Sequence, residues 1–538
     1  MGGTLPVHDN SVNLARVELP RCRRKAMALF RHAGAVGQSS RTRFTEKRRG
    51  VVPAAVARAL AQAVKLFLVF LPLMGCSSLK RFIVGSPPEG VPGHVEGFLG
   101  GVVADEPRAT LVAREVLSSG GNAADAATAL GFALAVTLPS RAGLGGGGAC
   151  LVYRPGMAGP RALLFLPKAG ASPALNADRP AAVPMLPIGL ETLHARFGHL
   201  PLDRLLSPAE ELARFGVPVS RALARDLQVV AQPLLADPAA RAIFGAGGLV
   251  LDEGGVLYQR DLATSLSQLR IAGLADFYHG VLAQRLQTAA AAAGGGLSAS
   301  DFAKASVQDA DALVLSAGAV RIGFLPPPAD GGLAAAAAFR VLEQKPDAFA
   351  AAKERAIAVA ARWRAAGGDA NELLSAVLPK ASLPPLPASS AFVVLDRSGN
   401  AVSCALTMNN LFGTGRVAPG TGILLAASPR VAPLPLLAAA IGWLPENNAF
   451  RVTAAASGQD GAPVALADGL LSALRGEEPM PKPLPPEPGR LAIISCPQGL
   501  PGDEESCKWV ADPRGAGAAL GEKSPKEMEQ ENPQSKGK

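Results

Sequence analysis

Two hydroxyls, Ser389 and Ser390, open a short apolar run, and Thr407 and Asn409 close the next one. Between the runs lies Asp396-Arg397-Ser398-Gly399-Asn400. That is turn chemistry, so the pattern predicts two antiparallel strands joined by a tight turn. Such a hairpin returns Thr407 and Asn409 to the side of the two serines. The chemistry this set supports is self-cleavage between Ala388 and Ser389. The cut frees an α-amine, which serves as base for the Ser389 hydroxyl beside it. An α-amine has a reference pKa of about 7.7–8.0, so it is usable as a base near neutral pH. Against this stands the plain alternative that Ser-Ser after a Pro-rich stretch is an ordinary linker.

The wider context argues against the linker. Ser389-Ser390-Ala391-Phe392-Val393-Val394 is followed by Asp396, then Gly399-Asn400-Ala401-Val402. Next come Thr407-Met408-Asn409, Phe412-Gly413-Thr414-Gly415 and Gly422-Ile423-Leu424-Leu425. In this order and spacing the stretch resembles the catalytic-subunit start of the γ-glutamyltransferase (glutathione hydrolase) family. The resemblance runs back to about residue 100. It takes in Gly101-Val102-Val103-Ala104, EVLSSGGNAADAATALGFALAVTLPS (115–140), LGGGGACLVYRPG (144–156), FGHLPLDRLLSPA (197–209) and PPPADGG (326–332). It ends with ADPRGAGAALG (511–521).

The resemblance implies an α+β chain folded as the four-layer αββα sandwich of the N-terminal-nucleophile hydrolases. It implies Ser389 as nucleophile, Thr407 as its hydrogen-bond partner and Asn409 as a substrate holder. VTAAASG (452–458) matches the family's oxyanion motif, so the backbone N–H groups of Ser457 and Gly458 are expected to stabilise the tetrahedral oxygen. The family's head-group residues are replaced. Its arginine falls at Pro167-Lys168, its Ser-Ser pair at Pro435-Leu436, and the acid for the substrate amine at Val431. Lys168 offers a point charge without the bidentate fork of arginine, and Ser390 is the other weak candidate for substrate contact. Losing both charge-assisted pairs argues against a zwitterionic glutamyl head and for an altered, apolar or uncharged acyl group.

At 538 residues the chain can bury a large core, and length alone suggests two or more domains. The net charge of +9 is misleading. Residues 1–50 hold 11 Lys/Arg and 3 Asp/Glu, and Arg58 and Lys65 bring the running balance to +10. Residues 76–538 therefore sum to −1, which removes the case for nucleic acid. Gly145 to Gly148 come without a P-loop lysine, so nucleotide binding is discounted. No cofactor or metal is expected, since the six histidines lack ligand spacing.

LFLVFLPLMGC (66–76) is too short to span a bilayer, sits behind basic residues, and ends in a sequence resembling a bacterial lipobox. Cys76 is the expected lipidation site, which implies a bacterial envelope protein anchored on the periplasmic side. Translation starting at Met27 or near Val51 would account for the long basic prelude. Cys150 and Cys404 lie in apolar strand patterns and read as small buried hydrophobes. Cys496 and Cys507 flank a turn and could pair in an oxidising compartment.

The expected layout has a prelude and signal over 1–75 and a tether over 76–99. A large-subunit part covers 100–388, a small catalytic part 389–521, and a disordered tail 522–538. KASLPPLPASS (380–390) reads as an exposed loop ending at the cut, and PMPKPLPPEPG (479–489) as an extended insert. The expected function is a self-cleaving amidohydrolase or acyltransferase of two subunits from one chain, acting on a small amide or γ-glutamyl-like substrate. The alternative is an inactive family member kept as a periplasmic binding or structural lipoprotein.

Overall fold

The computed structural model describes residues 87–171, 177–387, 389–479 and 489–521. The prelude, the lipobox with Cys76, Ala388, the insert over 480–488 and the tail from 522 lie outside the described residues.

Thirteen strands build two antiparallel sheets. They are β1 (Gly100–Ala104), β2 (Gly147–Tyr153), β3 (Arg161–Phe165), β4 (Gln308–Asp311), β5 (Leu313–Ala317), β6 (Val320–Phe324) and β7 (Ser390–Asp396). They continue with β8 (Ala401–Thr407), β9 (Ala438–Leu444), β10 (Ala449–Ser457), β11 (Arg490–Leu500), β12 (Lys508–Ala511) and β13 (Ala518–Gly521). The first sheet runs β4-β3-β2-β8-β7-β1-β13 and the second β5-β6-β9-β10-β11-β12.

The expected hairpin is β7–β8, in register from Ser390↔Leu406 to Leu395↔Ala401. Its turn is held by Asp396, whose carboxylate accepts from the N–H groups of Ser398 and Asn400 and from the Asn400 amide. The same carboxylate accepts from the Ala123 N–H at 3.0 Å. One buried acid thus closes the hairpin and caps the next layer's helix.

Side chains alternate across the first sheet, as strand geometry requires. On β7, Phe392 and Val394 face one core, while Ala391, Val393 and Leu395 face another. The first core lies under α1 (Pro107–Ser118), α2 (Ala123–Thr137), α3 (Leu186–Phe197), α4 (Leu202–Phe215) and α5 (Arg221–Val229). The second fills the space between the sheets, with Tyr153, Trp443 and Phe450 among its large side chains. The third packs the far side of the second sheet against α6 (Asp330–Gln344), α7 (Phe349–Ala366) and α8 (Ala462–Leu474). Three cores between four layers make the αββα sandwich. Because both faces of the central strands are covered, every residue of β2, β7 and β8 is buried. That is why they read as continuous apolar runs. α2, buried along its whole length, is accordingly apolar all round.

Two sequence readings change. Cys150 and Cys404 are not merely buried hydrophobes: they are directly opposed on β2 and β8 and joined by a disulfide. Their register spans 254 residues of chain, so no local pattern reveals it. The loop before the cut is exposed only as far as Pro385; Leu386, Pro387 and Ser389 are buried. Cleavage by the chain's own hydroxyl needs no access for an outside protease, so burial there is compatible with it. Cys496 and Cys507 are also disulfide-bonded, joining β11 to the segment that leads into β12.

Candidate active site

The site assembles where the ends of β7, β8 and β10 meet. Ser389 directly precedes β7 and is completely buried. Since Ser390 pairs with Leu406, Ser389 comes opposite Thr407, the last residue of β8. Thr407 lies against Gly147 on its other side, and the glycine run explains how the backbones close up. A Cβ on Gly146 would stand 2.4 Å from the Thr407 carbonyl oxygen, and one on Gly145 2.2 Å from that of Leu424. Gly145 to Gly148 are therefore neither a flexible loop nor a phosphate cradle. They admit close backbone contact beneath the site.

The Ser389 hydroxyl is clasped by one residue at the end of β10. Its Oγ accepts from the Gly458 N–H at 3.3 Å and donates to the Gly458 carbonyl at 3.2 Å. Gly458 has φ of +125°, a conformation that a side chain would strain. The turn after β10 thus aims its N–H at the Ser389 hydroxyl oxygen. Ser457, the other expected oxyanion residue, closes β10 opposite Arg490.

Thr407 Oγ1 accepts from the Asn409 N–H at 2.8 Å. Asn409 adopts φ of +56°, tolerable for asparagine. Its amide nitrogen donates to the carbonyls of Ala427 at 3.1 Å and Ala432 at 3.0 Å. Its Oδ1 is buried with no hydrogen-bond partner among the described residues. An unpaired buried acceptor costs about 1–3 kcal/mol, so Asn409 is held ready to receive a donor.

Ser390 and Lys168 behave differently. Ser390 Oγ donates to Asp105 Oδ2 at 3.3 Å, and the Ala391 N–H donates to the same oxygen at 3.0 Å. Lys168 is exposed and donates to the Ser306 carbonyl at 2.9 Å; partial desolvation lowers its pKa.

Sequence reasoning missed Asp105, Arg141, Arg225 and Arg490. Asp105 follows the Gly101–Ala104 motif directly, and Arg141 sits between two quoted motifs as a cation in an apolar stretch, so each carried some signal. Part of Asp105 meets a cavity. Burial nonetheless pushes its carboxyl above the usual range, against the lowering influence of Ser457, Arg141, the Ala391 N–H and Ser390. The Ser457 hydroxyl acts there by proximity and closes no hydrogen bond of good geometry. Arg141 is held by Asp226 through Nε at 2.7 Å and Nη2 at 2.6 Å. Ser140 donates to the same carboxylate at 2.7 Å. No group of three or more His, Cys, Asp or Glu among the described residues could hold a metal ion.

Similarity to known proteins covers much of the chain. The sequence model of the Gamma-glutamyltranspeptidase family matches residues 109–374 and 369–429. The chain is 29% identical over 380 residues to the glutathione hydrolase proenzyme of Escherichia coli K12, a match covering 61% of this chain and 65% of that protein. It is 27% identical over 394 residues to the proenzyme of Bacillus subtilis 168, covering 61% and 67%. The chain thus spans less than two thirds of the E. coli relative's length. Among solved structures, a cephalosporin acylase from Bacillus halodurans superposes with a TM-score of 0.63 over 79% of this chain and 96% of that one. At 20% identity that likeness speaks to the fold alone, the αββα sandwich.

Proposed function

Because the chain belongs to the gamma-glutamyltranspeptidase family, whose model matches more than half of it, we propose that it is a self-cleaving amidohydrolase or acyltransferase with Ser389 as nucleophile. The observation that carries this reading is the Ser389 hydroxyl, buried and held at 3.3 Å by the Gly458 N–H, with Thr407 opposite it across the hairpin. In the first step Oγ attacks the Ala388 carbonyl carbon and the Ser389 nitrogen departs with a proton, leaving an ester. Water then splits the ester, giving the Ala388 carboxylate and restoring the hydroxyl. The large part ends at 388 and the small part begins at 389.

In turnover, the new α-amine accepts the hydroxyl proton as Oγ attacks a substrate amide. The Gly458 N–H faces the developing oxyanion, and Asn409 Oδ1 is free to take a donor from the substrate. The leaving amine carries away the proton held by the α-amine. Water or an acceptor amine then releases the acyl group and regenerates Ser389.

The relatives' printed names make γ-glutamyl compounds the first substrates to try. The replaced head-group positions speak for an altered substrate: Val431 is 61% exposed, and Lys168 is turned to Ser306. The same losses favour the second reading, an inactive binding or structural protein. We place either form in a bacterial envelope, lipid-anchored at Cys76. Two disulfides among the described residues suit an oxidising compartment. No helix among those residues is long and apolar enough to cross a membrane.

The test is intact mass and a denaturing, reducing gel on protein starting after Cys76. The parent should give two fragments meeting at Ala388/Ser389. Ser389→Ala should stay whole, and Ser390→Ala should still cut. A single chain in parent and variant alike would remove the α-amine and leave the binding reading.

A further inference from the structure

A cavity of about 350 Å3 is lined by Ser457 and by Gly458, the residue whose N–H and carbonyl hold the Ser389 hydroxyl. Among the described residues its charged walls are Arg141, Arg225 and Arg490 against one acid, Asp105. Arg225 stands on α5, and Ala222 and Val229 of the same helix also line the cavity. Positions three before and four after a residue share its helix face, so this face of α5 is turned to the cavity. The opposite face, with Leu223, Ala224, Asp226 and Leu227, is buried.

Resting on the hydrolase reading, we propose that this cavity is a carboxylate pocket in which Arg225 and Arg141 receive the acid end of a substrate amide that bears no ammonium group. Three observations carry it. Arg225 is exposed to the cavity and makes no hydrogen bond or ion pair among the described residues. All the donors of its guanidinium fork are open to a ligand, in the geometry that suits a carboxylate. Next, Arg141 is fixed in place by Asp226 through only Nε and Nη2. That leaves Nη1 on a preorganised cation, so little ordering cost remains when an anion arrives. Finally, Asp105, the only acid among the described residues lining the cavity, is already engaged by the Ala391 N–H and the Ser390 hydroxyl.

An ammonium entering here meets guanidinium groups and finds its one acid occupied. Like-charge contact of that kind is how a pocket rejects the wrong head group. The apolar surface of Ala222 and Val229 suits a short aliphatic stem between the acid and the scissile amide. The pocket differs in position from the head-group residues that the resemblance implies, none of which is an arginine in this chain. Its location explains how the family's usual cation can be missing from Lys168 while an anion is still recognised beside the nucleophile.

The test uses uncut Ser389→Ala protein and calorimetry with pentanedioate, matched against the uncharged pentanediamide. Pentanedioate should bind saturably, more weakly as salt rises, with no comparable signal from the diamide. Arg225→Ala should weaken binding about ten- to hundredfold, the worth of a charge-assisted pair, and Arg225→Lys should recover part of it. Arg225 is a surface side chain, so its loss leaves the fold intact. Equal binding of the diamide, or binding unchanged by Arg225→Ala, overturns the pocket. Cleavage of the parent at Ser389 is scored separately. A cut parent without dianion preference sinks the pocket alone, and dianion binding to a parent that never cuts sinks the hydrolase reading alone.

Discussion

If the chain is cut at Ser389, its two products remain one covalent molecule. Cys150 lies on the large side of the cut and Cys404 on the small side, and the structure bonds them across β2 and β8. The first sheet is itself shared, with β1 to β4 from before the cut and β7, β8 and β13 from after it. In the uncut chain the bridge closes a loop of 254 residues, for which the chain-entropy relation gives about 5.5 kcal/mol at 25 °C. Measured bridges more often contribute about 2–4 kcal/mol, so that range is expected on reduction. The assay is intact mass of protein beginning after Cys76, with thiols blocked and without reductant. The parent should appear as one species, heavier than the uncut Ser389→Ala chain by one water and the serine oxygen. With reductant it should separate into two. Cys404→Ser should release two fragments without reductant and lower the denaturation midpoint. Separate fragments from the unreduced parent, or a free thiol in denatured Ser389→Ala protein, would refute the bridge.

Asp105→Asn should stabilise the protein near neutral pH, because burial raises the native carboxyl's pKa above its unfolded value. With a raised pKa the stability from protonation is present below the unfolded value and is lost as pH climbs through the folded one. The gain over parent in denaturation midpoint should therefore shrink as pH falls from 7 towards 4; a gain that grows on acidification contradicts the assignment. Gly146→Ala drives a Cβ to 2.4 Å from the Thr407 carbonyl. It should cost about 1–3 kcal/mol through overpacking and slow self-cleavage by displacing Thr407, read as the fraction of uncut chain over time. Asn409→Ala strands the carbonyls of Ala427 and Ala432 and puts alanine at φ of +56°. A loss of about 2 kcal/mol or more is expected from those two effects together, and an unchanged urea midpoint would sink that account.

The legible parts of the molecule were the local ones. Turn chemistry at Asp396 to Asn400 and two apolar runs specify β7 and β8 within twenty residues, so Ser389 and Thr407 could be placed opposite each other from sequence. The alanine-rich runs in α6 and α7 are local in the same way. What stayed hidden depends on distant pieces of chain meeting. Asp105 touches Ser390 across 285 positions. Arg225 faces a cavity built also from Arg490, and Cys150 finds Cys404 only through sheet register. Burial of Ser389 was missed for the same reason: the composition of 380–390 says exposed loop, while the Gln459 amide, bonded to the Leu386 carbonyl at 2.6 Å, draws its end inward.

This division bears on the choice between enzyme and inactive relative. Much of the candidate machinery is backbone: the Gly458 N–H, the register that sets Thr407 opposite Ser389, and the glycine contacts under both. Those features persist wherever the fold persists, so their retention discriminates poorly. Side-chain atoms left without a partner are more informative. Asn409 Oδ1 lies buried without a donor at a standing cost of about 1–3 kcal/mol. Arg225 is exposed over the cavity and makes no hydrogen bond or ion pair among the described residues. A chain that had lost its ligand could drop the second at no structural cost, whereas Asn409 is also kept by its bonds to the carbonyls of Ala427 and Ala432. Their joint presence beside a clasped serine hydroxyl fits a site that still receives a molecule. Whether that molecule is then cut turns on the α-amine alone, so substrate binding by Ser389→Ala protein and self-cleavage by the parent must be measured as separate events.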